Sequence, residues 1–127
     1  MARFPKMCDL IQTFDTPRVA DIAATVRQQM QALQLEKVVR RGQTVAIPAG
    51  SRGITNIGLI LREIAAYFAS LGALPFVVPA MGSHGGGTVE GRGRMLSSLG
   101  IREHSTGAPL RATMETVIVA QTSNGLP

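Results

Sequence analysis

Apolar side chains recur at spacings of three and four in two stretches of the chain, and this period predicts two amphipathic helices. The first stretch follows Thr16-Pro17, because Thr is a good N-cap and Pro is favoured at the first helical position, and it extends to about Glu36. The second follows Thr55 or Asn56, either of which can cap it, and ends before Gly72. A third, shorter helix is predicted after Thr88 and ends at Gly100, although two internal glycines weaken it.

Three short apolar runs lie between and after these helices and predict buried strands over residues 44–48, 74–78 and 116–120. The order is then α-β-α-β-α-β, with crossovers of about 30 residues between strands, which is typical of βαβ units. We therefore predict an α/β domain with a mainly parallel sheet and helices packed on it. Ser123-Asn124-Gly125 is a turn signal that predicts a further strand, so we expect more of the protein to follow residues 1–127.

Composition narrows the class of protein. Of the 127 residues, 45% are apolar and 17% are charged, which excludes a disordered or fibrous chain. Lys and Arg exceed Asp and Glu by 13 to 8, but the basic residues are scattered and aromatic residues are few, so we do not expect nucleic-acid binding. The single cysteine, Cys8, allows no intrachain disulfide, and we take it as a small packed apolar side chain.

No export signal or membrane span is expected. The first residues contain no apolar run behind a basic start. Residues 64–89 carry no Asp, Glu, Lys or Arg and are long enough to cross a bilayer, but Gly72, Pro75 and Pro79 divide them. We expect a cytoplasmic protein.

The first candidate site is the loop Gly50-Ser51-Arg52-Gly53, which leaves a predicted strand and enters a helix. Ligands bind at that edge of an open α/β sheet, and an Arg between two glycines can hold a carboxylate or a phosphate. The alternative is a surface Arg in a turn.

The second candidate site is the loop from Gly82 to Thr88, which contains Ser83, His84, Gly85 and Gly86. It approaches a phosphate-binding P-loop but lacks the lysine, so we do not interpret it as a nucleotide triphosphatase. A histidine in such a loop can act as a general acid or base near neutral pH, or can simply bond a neighbouring carbonyl. The other histidine, His104, is interpreted as a surface residue.

The segments Ala49-Gly50-Ser51-Arg52-Gly53-Ile54 and Pro79-Ala80-Met81-Gly82-Ser83-His84-Gly85-Gly86 resemble the N-terminal domain of the lactate racemase family. This family contains 2-hydroxy-acid racemases and epimerases that use a nickel-pincer nucleotide to accept a hydride. The resemblance implies that His84 is an acid/base histidine and that Arg52, with Ser51, binds the substrate carboxylate. Free backbone N–H groups and the helix dipoles make both loops receptive to anions, so we also predict that they bind the cofactor or an anion through Gly50, Gly53, Gly82, Ser83, Gly85, Gly86 and Thr88.

The sequence departs from the better-known lactate racemase motif, because Ser51 replaces Thr and Gly85 follows the histidine where Arg is usual. The resemblance implies a divergent branch, and it places the cofactor lysine, the nickel-binding histidine and a second acid/base histidine beyond residue 127. We therefore expect a small 2-hydroxy acid as substrate, a C-terminal domain as partner and no racemisation by this chain alone. The surface that meets that domain also predicts a homo-oligomer. Two alternatives are a non-catalytic module that binds carboxylate or phosphate, and a structural domain whose glycine-rich loop is only a turn.

Overall fold

The computed structural model describes residues 7–125. Its helices are α1 (Ile22–Ala32), α2 (Ile57–Ser70), α3 (Val89–Ser98) and α4 (Glu103–Thr106). Its strands are β1 (Thr44–Ala49) and β2 (Leu74–Pro79), and short 3-10 turns occupy Leu35–Lys37 and His84–Gly87. The described chain is therefore a small mixed α/β fold, as the coarse pattern predicts.

The sheet consists of β1 and β2, which run parallel with Thr44 opposite Leu74 and Ala49 opposite Pro79. Helix α2 connects the two strands. The other edge of β2 is bonded to the chain near Leu110, because Val77 N–H donates to the Pro109 carbonyl and Arg111 N–H donates to the Val77 carbonyl, both at 2.8 Å.

The predicted third strand over residues 116–120 is wrong. These residues form neither helix nor strand, and Val117 and Val119 are 83% and 94% exposed. The edge beside β2 is occupied by residues 109–111, so a β-prone run further along the chain has no sheet edge to complete there. The turn at 123–125 does form, with Gly125 N–H donating to the Thr122 carbonyl at 2.9 Å.

The core lies on one face of the sheet. Successive strand residues point to opposite faces, so Ile47, Ala49 and Val77 share the face that packs against the helices. Their buried partners come from α2, α3 and the segment that follows, and include Leu61, Ala65, Leu96, Ile101 and Ala108. This packing places the two strands side by side and aligns their carboxyl ends.

Helix α1 begins later than the sequence predicts. It starts at Ile22 because the Asp21 carboxylate accepts from Ala24 N–H at 2.8 Å, which caps the first turn. Thr16-Pro17 and Asp15 lie outside the helix, among the exposed residues 7–20. The helix therefore begins directly after the aspartate that forms a capping hydrogen bond, and not after Thr16-Pro17.

An ion pair joins α1 to α2. Arg27 Nη1 donates to Glu63 Oε2 at 2.6 Å, and Arg62 Nη2 donates to the other carboxylate oxygen at 3.2 Å. The Glu63 side chain is only 10% exposed, so little water reaches its carboxylate. The two arginines supply the compensating positive charge. The hydrogen bond from Arg27 outweighs the effect of burial and lowers the pKa of Glu63.

The end of α2 and the start of α3 lie where the sequence predicts them. Gly72 follows the last turn of α2 with φ at +77°, a conformation that glycine adopts without strain. Thr88 caps α3, since its hydroxyl oxygen accepts from Gly91 N–H at 3.0 Å. Asn56 occupies the N-cap position of α2, but its side chain makes no capping hydrogen bond.

Two further expectations concern exposure. His104 is exposed, as predicted, but Cys8 is also exposed and is not packed, because residues 7–20 lie outside the core.

Within residues 7–125 no helix has the length and apolar character needed to cross a membrane.

Candidate functional site

Two loops meet at the carboxyl ends of the strands. One follows β1 and the other follows β2, and because the strands are parallel neighbours, both loops start at the same edge of the sheet. Ala80 N–H donates to the Ala49 carbonyl at 2.8 Å, which joins the two loops at their origin. The two loops together therefore form the sheet edge at which the sequence predicts a ligand site.

Ser51 and His84 are in direct contact across this edge. The Ser51 Oγ and His84 Nδ1 atoms are 2.5 Å apart, although the residues are 33 positions apart in the chain. The imidazole is exposed, and Ser51 is half-buried. When Nδ1 is protonated it donates to the serine oxygen and leaves Nε2 free as a base, whereas a neutral Nδ1 accepts the serine proton. Ser51 thus orients the ring in either tautomer.

The two loops enclose a cleft of about 340 Å³. Arg52 lines it beside Ser51 and His84, and within residues 7–125 its guanidinium has neither a hydrogen-bond partner nor an ion-pair partner. An unpaired guanidinium presents a fork of N–H donors that matches a carboxylate or a phosphate. The cleft is therefore lined by both a guanidinium and an imidazole.

The glycine-rich loop packs tightly on the first turn of α3. A Cβ atom on Gly91 would lie 1.7 Å from the Gly85 carbonyl oxygen, and one on Gly85 would lie 2.3 Å from the Gly91 carbonyl carbon. Gly85 also has φ at +65°, in the left-handed region. The Thr88 hydroxyl donates to the Gly85 carbonyl at 3.3 Å, in addition to capping α3. These contacts hold the backbone immediately after His84 in place.

Two residues that shape this site are not among those predicted from the sequence. The sequence pattern marks Gly91 only as a weak point of the third helix, but the close approach of Gly85 requires the absence of a side chain at this position. Arg92 Nη2 donates to the Gly82 carbonyl at 3.2 Å and so ties α3 to the loop two residues before His84. The Arg92 Nε atom is buried and has no hydrogen-bond partner among the described residues. The sequence signal for Gly91 and Arg92 is their position, since both lie in the first turns of the helix that Thr88 caps.

The predicted site residues divide into two groups. The cleft is lined by Gly50, Ser51, Arg52, Gly82 and His84, together with Ile54, Ala80 and Met81. The remaining predicted residues do not line it, and these are Gly53, Ser83, Gly85, Gly86 and Thr88. In the structure Gly85 and Thr88 set the shape of the loop, and their predicted role in binding a cofactor or an anion stays a prediction.

A larger cleft of about 690 Å³ lies between residues 17–19, α1 and the start of α2. Apolar side chains such as Val19, Ile22 and Ile60 make up much of its lining, and Arg18 is its only titratable group among the described residues. It therefore has no acid/base group, and the smaller cleft remains the candidate site.

The described residues contain no cluster of three or more His, Cys, Asp or Glu side chains that could hold a metal ion. Comparison with protein-family models, with curated proteins and with solved structures finds no match to this chain.

Proposed function

We propose that this chain is the N-terminal, substrate-binding half of a 2-hydroxy-acid racemase or epimerase, and that it is inactive alone. The observation that carries the proposal is the contact between Ser51 and His84 beside the Arg52 guanidinium, which has no partner among the described residues. A further part of the proposal is that the parallel strands belong to βαβ units of a two-domain protein. The resemblance of both loop sequences to the lactate racemase family supports this assignment.

The residues of the cleft suit the two polar groups of a 2-hydroxy acid. Arg52 binds the carboxylate, because a guanidinium offers two parallel N–H donors to two carboxylate oxygens. The hydroxyl group on the adjacent carbon then lies toward the imidazole of His84 on the opposite loop. A cleft of about 340 Å³ is at the lower end of the range for small-molecule sites, which favours a small acid.

Proton transfer uses one of the two tautomers that the contact with Ser51 allows. To accept the hydroxyl proton at Nε2, His84 must carry its own proton on Nδ1, and that N–H donates to the Ser51 hydroxyl oxygen. The same hydrogen bond persists when the ring is doubly protonated, so Ser51 holds the ring steady while the proton is taken and returned. Arg52, by binding the carboxylate, keeps the substrate in reach of that nitrogen.

The nickel-pincer nucleotide does not fit the residues of this chain as a metal site. The described residues contain no ligand cluster, and the resemblance assigns the nickel ligands and the modified lysine to the C-terminal domain. Removal of the hydride from the carbon that bears the hydroxyl would be the chemistry that the cofactor supplies from that domain. The part proposed for this chain is limited to substrate binding and to proton transfer by His84.

The proposal is tested by binding measurements on the chain itself. Calorimetric titration or NMR titration compares 2-hydroxy acids, starting with lactate, with the matching acids that lack the hydroxyl, starting with propionate. We expect the hydroxyl to increase affinity about 2- to 12-fold, the value of one net hydrogen bond. His84→Ala removes this preference but retains carboxylate binding, Arg52→Ala loses both, and Arg40→Ala is the exposed control that changes neither.

Activity is tested with the C-terminal domain supplied and loaded with cofactor. We expect racemisation that disappears in His84→Ala. Equal affinity for an acid and its deoxy analogue, together with no activity in the reconstituted enzyme, contradicts the proposal.

A second candidate is a non-catalytic anion-binding module, which is also favoured by the Arg52 guanidinium, since no described residue pairs with it. In such a module His84 only donates a hydrogen bond. It predicts binding of inorganic phosphate that depends on Arg52, with no preference for the hydroxyl of a 2-hydroxy acid. The same titrations therefore separate the two candidates.

A further inference from the structure

The contact between Ser51 and His84 also has the geometry of a nucleophile and its general base. In enzymes that form acyl-serine intermediates the two atoms lie about 2.6–3.2 Å apart, and here Ser51 Oγ lies 2.5 Å from His84 Nδ1. When the ring proton is on Nε2, the unprotonated Nδ1 atom accepts the serine proton. The proposed function uses the other tautomer, so the same pair of side chains is capable of a second kind of chemistry.

Ser51 lies in an open position beside the cleft. It follows the carboxyl end of β1, and it provides the only hydroxyl group among the described residues that line the cleft. A Cβ atom on Gly50, Gly53 or Gly82 would meet nothing within 4 Å apart from its chain neighbours, so these loops leave open space near the hydroxyl. A substrate carbonyl group can therefore approach the serine oxygen from the cleft.

Backbone donors for the negative charge of such a reaction line the same cleft. Attack by a serine places charge on the carbonyl oxygen, and this oxyanion is commonly held by the N–H of the residue after the nucleophile and by an N–H of a second loop. The corresponding residues here are Arg52 and Gly82, and neither backbone N–H has a hydrogen-bond partner within residues 7–125. The described residues of the cleft thus include a nucleophile, a base and two backbone donors.

We infer that this chain hydrolyses small esters through a covalent acyl-Ser51 intermediate, and that its substrates are O-acyl derivatives of 2-hydroxy acids. Arg52 sets the substrate class, because its guanidinium lines the cleft next to Ser51 and has no partner among the described residues. It binds the free carboxylate of the ester and so holds the acyloxy group on the adjacent carbon near Ser51. The inference shares with the proposed function only this binding of a carboxylate by Arg52.

The reaction takes two steps. In the first, Ser51 Oγ bonds to the ester carbonyl carbon and its proton moves to His84 Nδ1, then the bond from that carbon to the 2-hydroxy acid breaks and the departing oxygen takes the proton. In the second, water bonds to the acyl carbon and gives a proton to Nδ1, and the bond to Oγ breaks as Oγ recovers that proton. All the side chains used belong to this chain, so we expect this activity from the chain that does not racemise alone.

The turnover is expected to be slow. In a catalytic triad a carboxylate bonds the second ring nitrogen, but within residues 7–125 no side chain is hydrogen-bonded to His84 Nε2. Loss of the function of that carboxylate slows a serine protease by about 10⁴-fold. An activated ester is therefore the first probe.

Reaction of the chain with p-nitrophenyl acetate tests the inference. We expect a burst of nitrophenolate followed by slow turnover, and mass spectrometry of the digested protein should find an acetyl group on Ser51. Ser51→Ala and His84→Ala should each lower the rate above the buffer background at least about 100-fold, the lower value for a positioned general base. Ser70→Ala and His104→Ala are the matched controls, because both side chains are exposed and neither lines the cleft.

The substrate class is tested with O-acetyl-lactate and its methyl ester, which differ only in the free carboxylate. NMR measures the release of acetate from each compound. We expect the free acid to react at least about tenfold faster, the value of one hydrogen bond to a charged group. Arg52→Ala should abolish this preference and retain acetylation of Ser51 by p-nitrophenyl acetate.

Three results overturn the inference: no acetyl group on Ser51, hydrolysis that Ser51→Ala leaves unchanged, or equal rates for O-acetyl-lactate and its methyl ester. Ser51→Cys keeps a nucleophile at this position and should also take up the acetyl group, so the test does not depend on the folding of Ser51→Ala alone. Titration with lactate and propionate measures the proposed function separately. Acylation of Ser51 without a preference for lactate would support this inference and contradict the binding predicted above, and the reverse result would do the opposite.

Discussion

Replacing Gly91 by alanine tests the packing that holds the His84 loop. The new Cβ atom would lie 1.7 Å from the Gly85 carbonyl oxygen, whereas real Cβ contacts are essentially never under 3.0 Å. The loop therefore has to move away by at least about 1.3 Å, or the first turn of α3 has to shift. Gly93 is two residues further along the same helix and has nothing within 4 Å of its Cβ position, which makes Gly93→Ala the matched control.

The magnitude follows from two opposing effects. Alanine in place of glycine inside a helix stabilises by about 1 kcal/mol, and both variants gain this. Only Gly91→Ala adds an overlap, and forcing a methyl group into a filled space costs about 1–3 kcal/mol. We expect Gly93→Ala to be about 0.5–1 kcal/mol more stable than the unaltered chain. Gly91→Ala should then be less stable than Gly93→Ala by about 1–3 kcal/mol, which is the overlap itself.

Urea unfolding and calorimetry measure this difference. For a domain of this size 1 kcal/mol corresponds to about 3–6 °C in Tm, so the two alanine variants should differ by about 3–18 °C. NMR of the imidazole then shows whether the displaced loop has lost the contact between Ser51 and His84. Equal stability of the two variants would refute the argument, because it would mean that the Gly85 carbonyl does not lie on α3.

Three further predictions concern the cap, the ion pair and the serine. Thr88→Ala removes the α3 cap and should destabilise by about 1 kcal/mol in urea unfolding, while Thr88→Ser, which keeps the hydroxyl, should lose much less. Because the pKa of Glu63 is lowered in the folded state, its contribution to stability is complete above its unfolded pKa and is lost as the pH falls through the lower folded value. Glu63→Gln should therefore be less stable than the unaltered chain at pH 7, and unfolding at a series of pH values should show the gap closing below about pH 4; a gap independent of pH would contradict this. Ser51→Ala should reduce the preference for a 2-hydroxy acid over its deoxy analogue by up to about tenfold and leave carboxylate binding by Arg52 intact, as measured by titration; an unchanged preference would show that Ser51 does not orient His84.

Local patterns were sufficient for much of the fold. The apolar period predicts α2 and its end at Gly72, and Thr88 predicts the cap of α3, because capping and helical spacing depend on residues within one or two turns. The two apolar runs also predict β1 and β2, with a loop after each strand. The start of α1 is harder to predict, because two capping signals compete there and only the one at Asp21 forms a hydrogen bond.

The third strand shows what local patterns cannot decide. Residues 116–120 have the composition of a strand, yet a strand forms only where a sheet edge accepts its hydrogen bonds. Residues 109–111 take the edge beside β2 instead. That choice depends on how α3 and α4 return the chain to the sheet, which no short stretch of sequence specifies.

The residues that could carry chemistry are identifiable without coordinates: an arginine between glycines and a histidine in a glycine-rich loop, each after an apolar strand. Two other features required the folded arrangement, namely that Ser51 contacts His84 across 33 residues and that Gly91 must lack a side chain. The physical reason is that both contacts depend on the parallel register of β1 and β2 and on the packing of α3, and these are set by burial of the shared core rather than by the loops themselves.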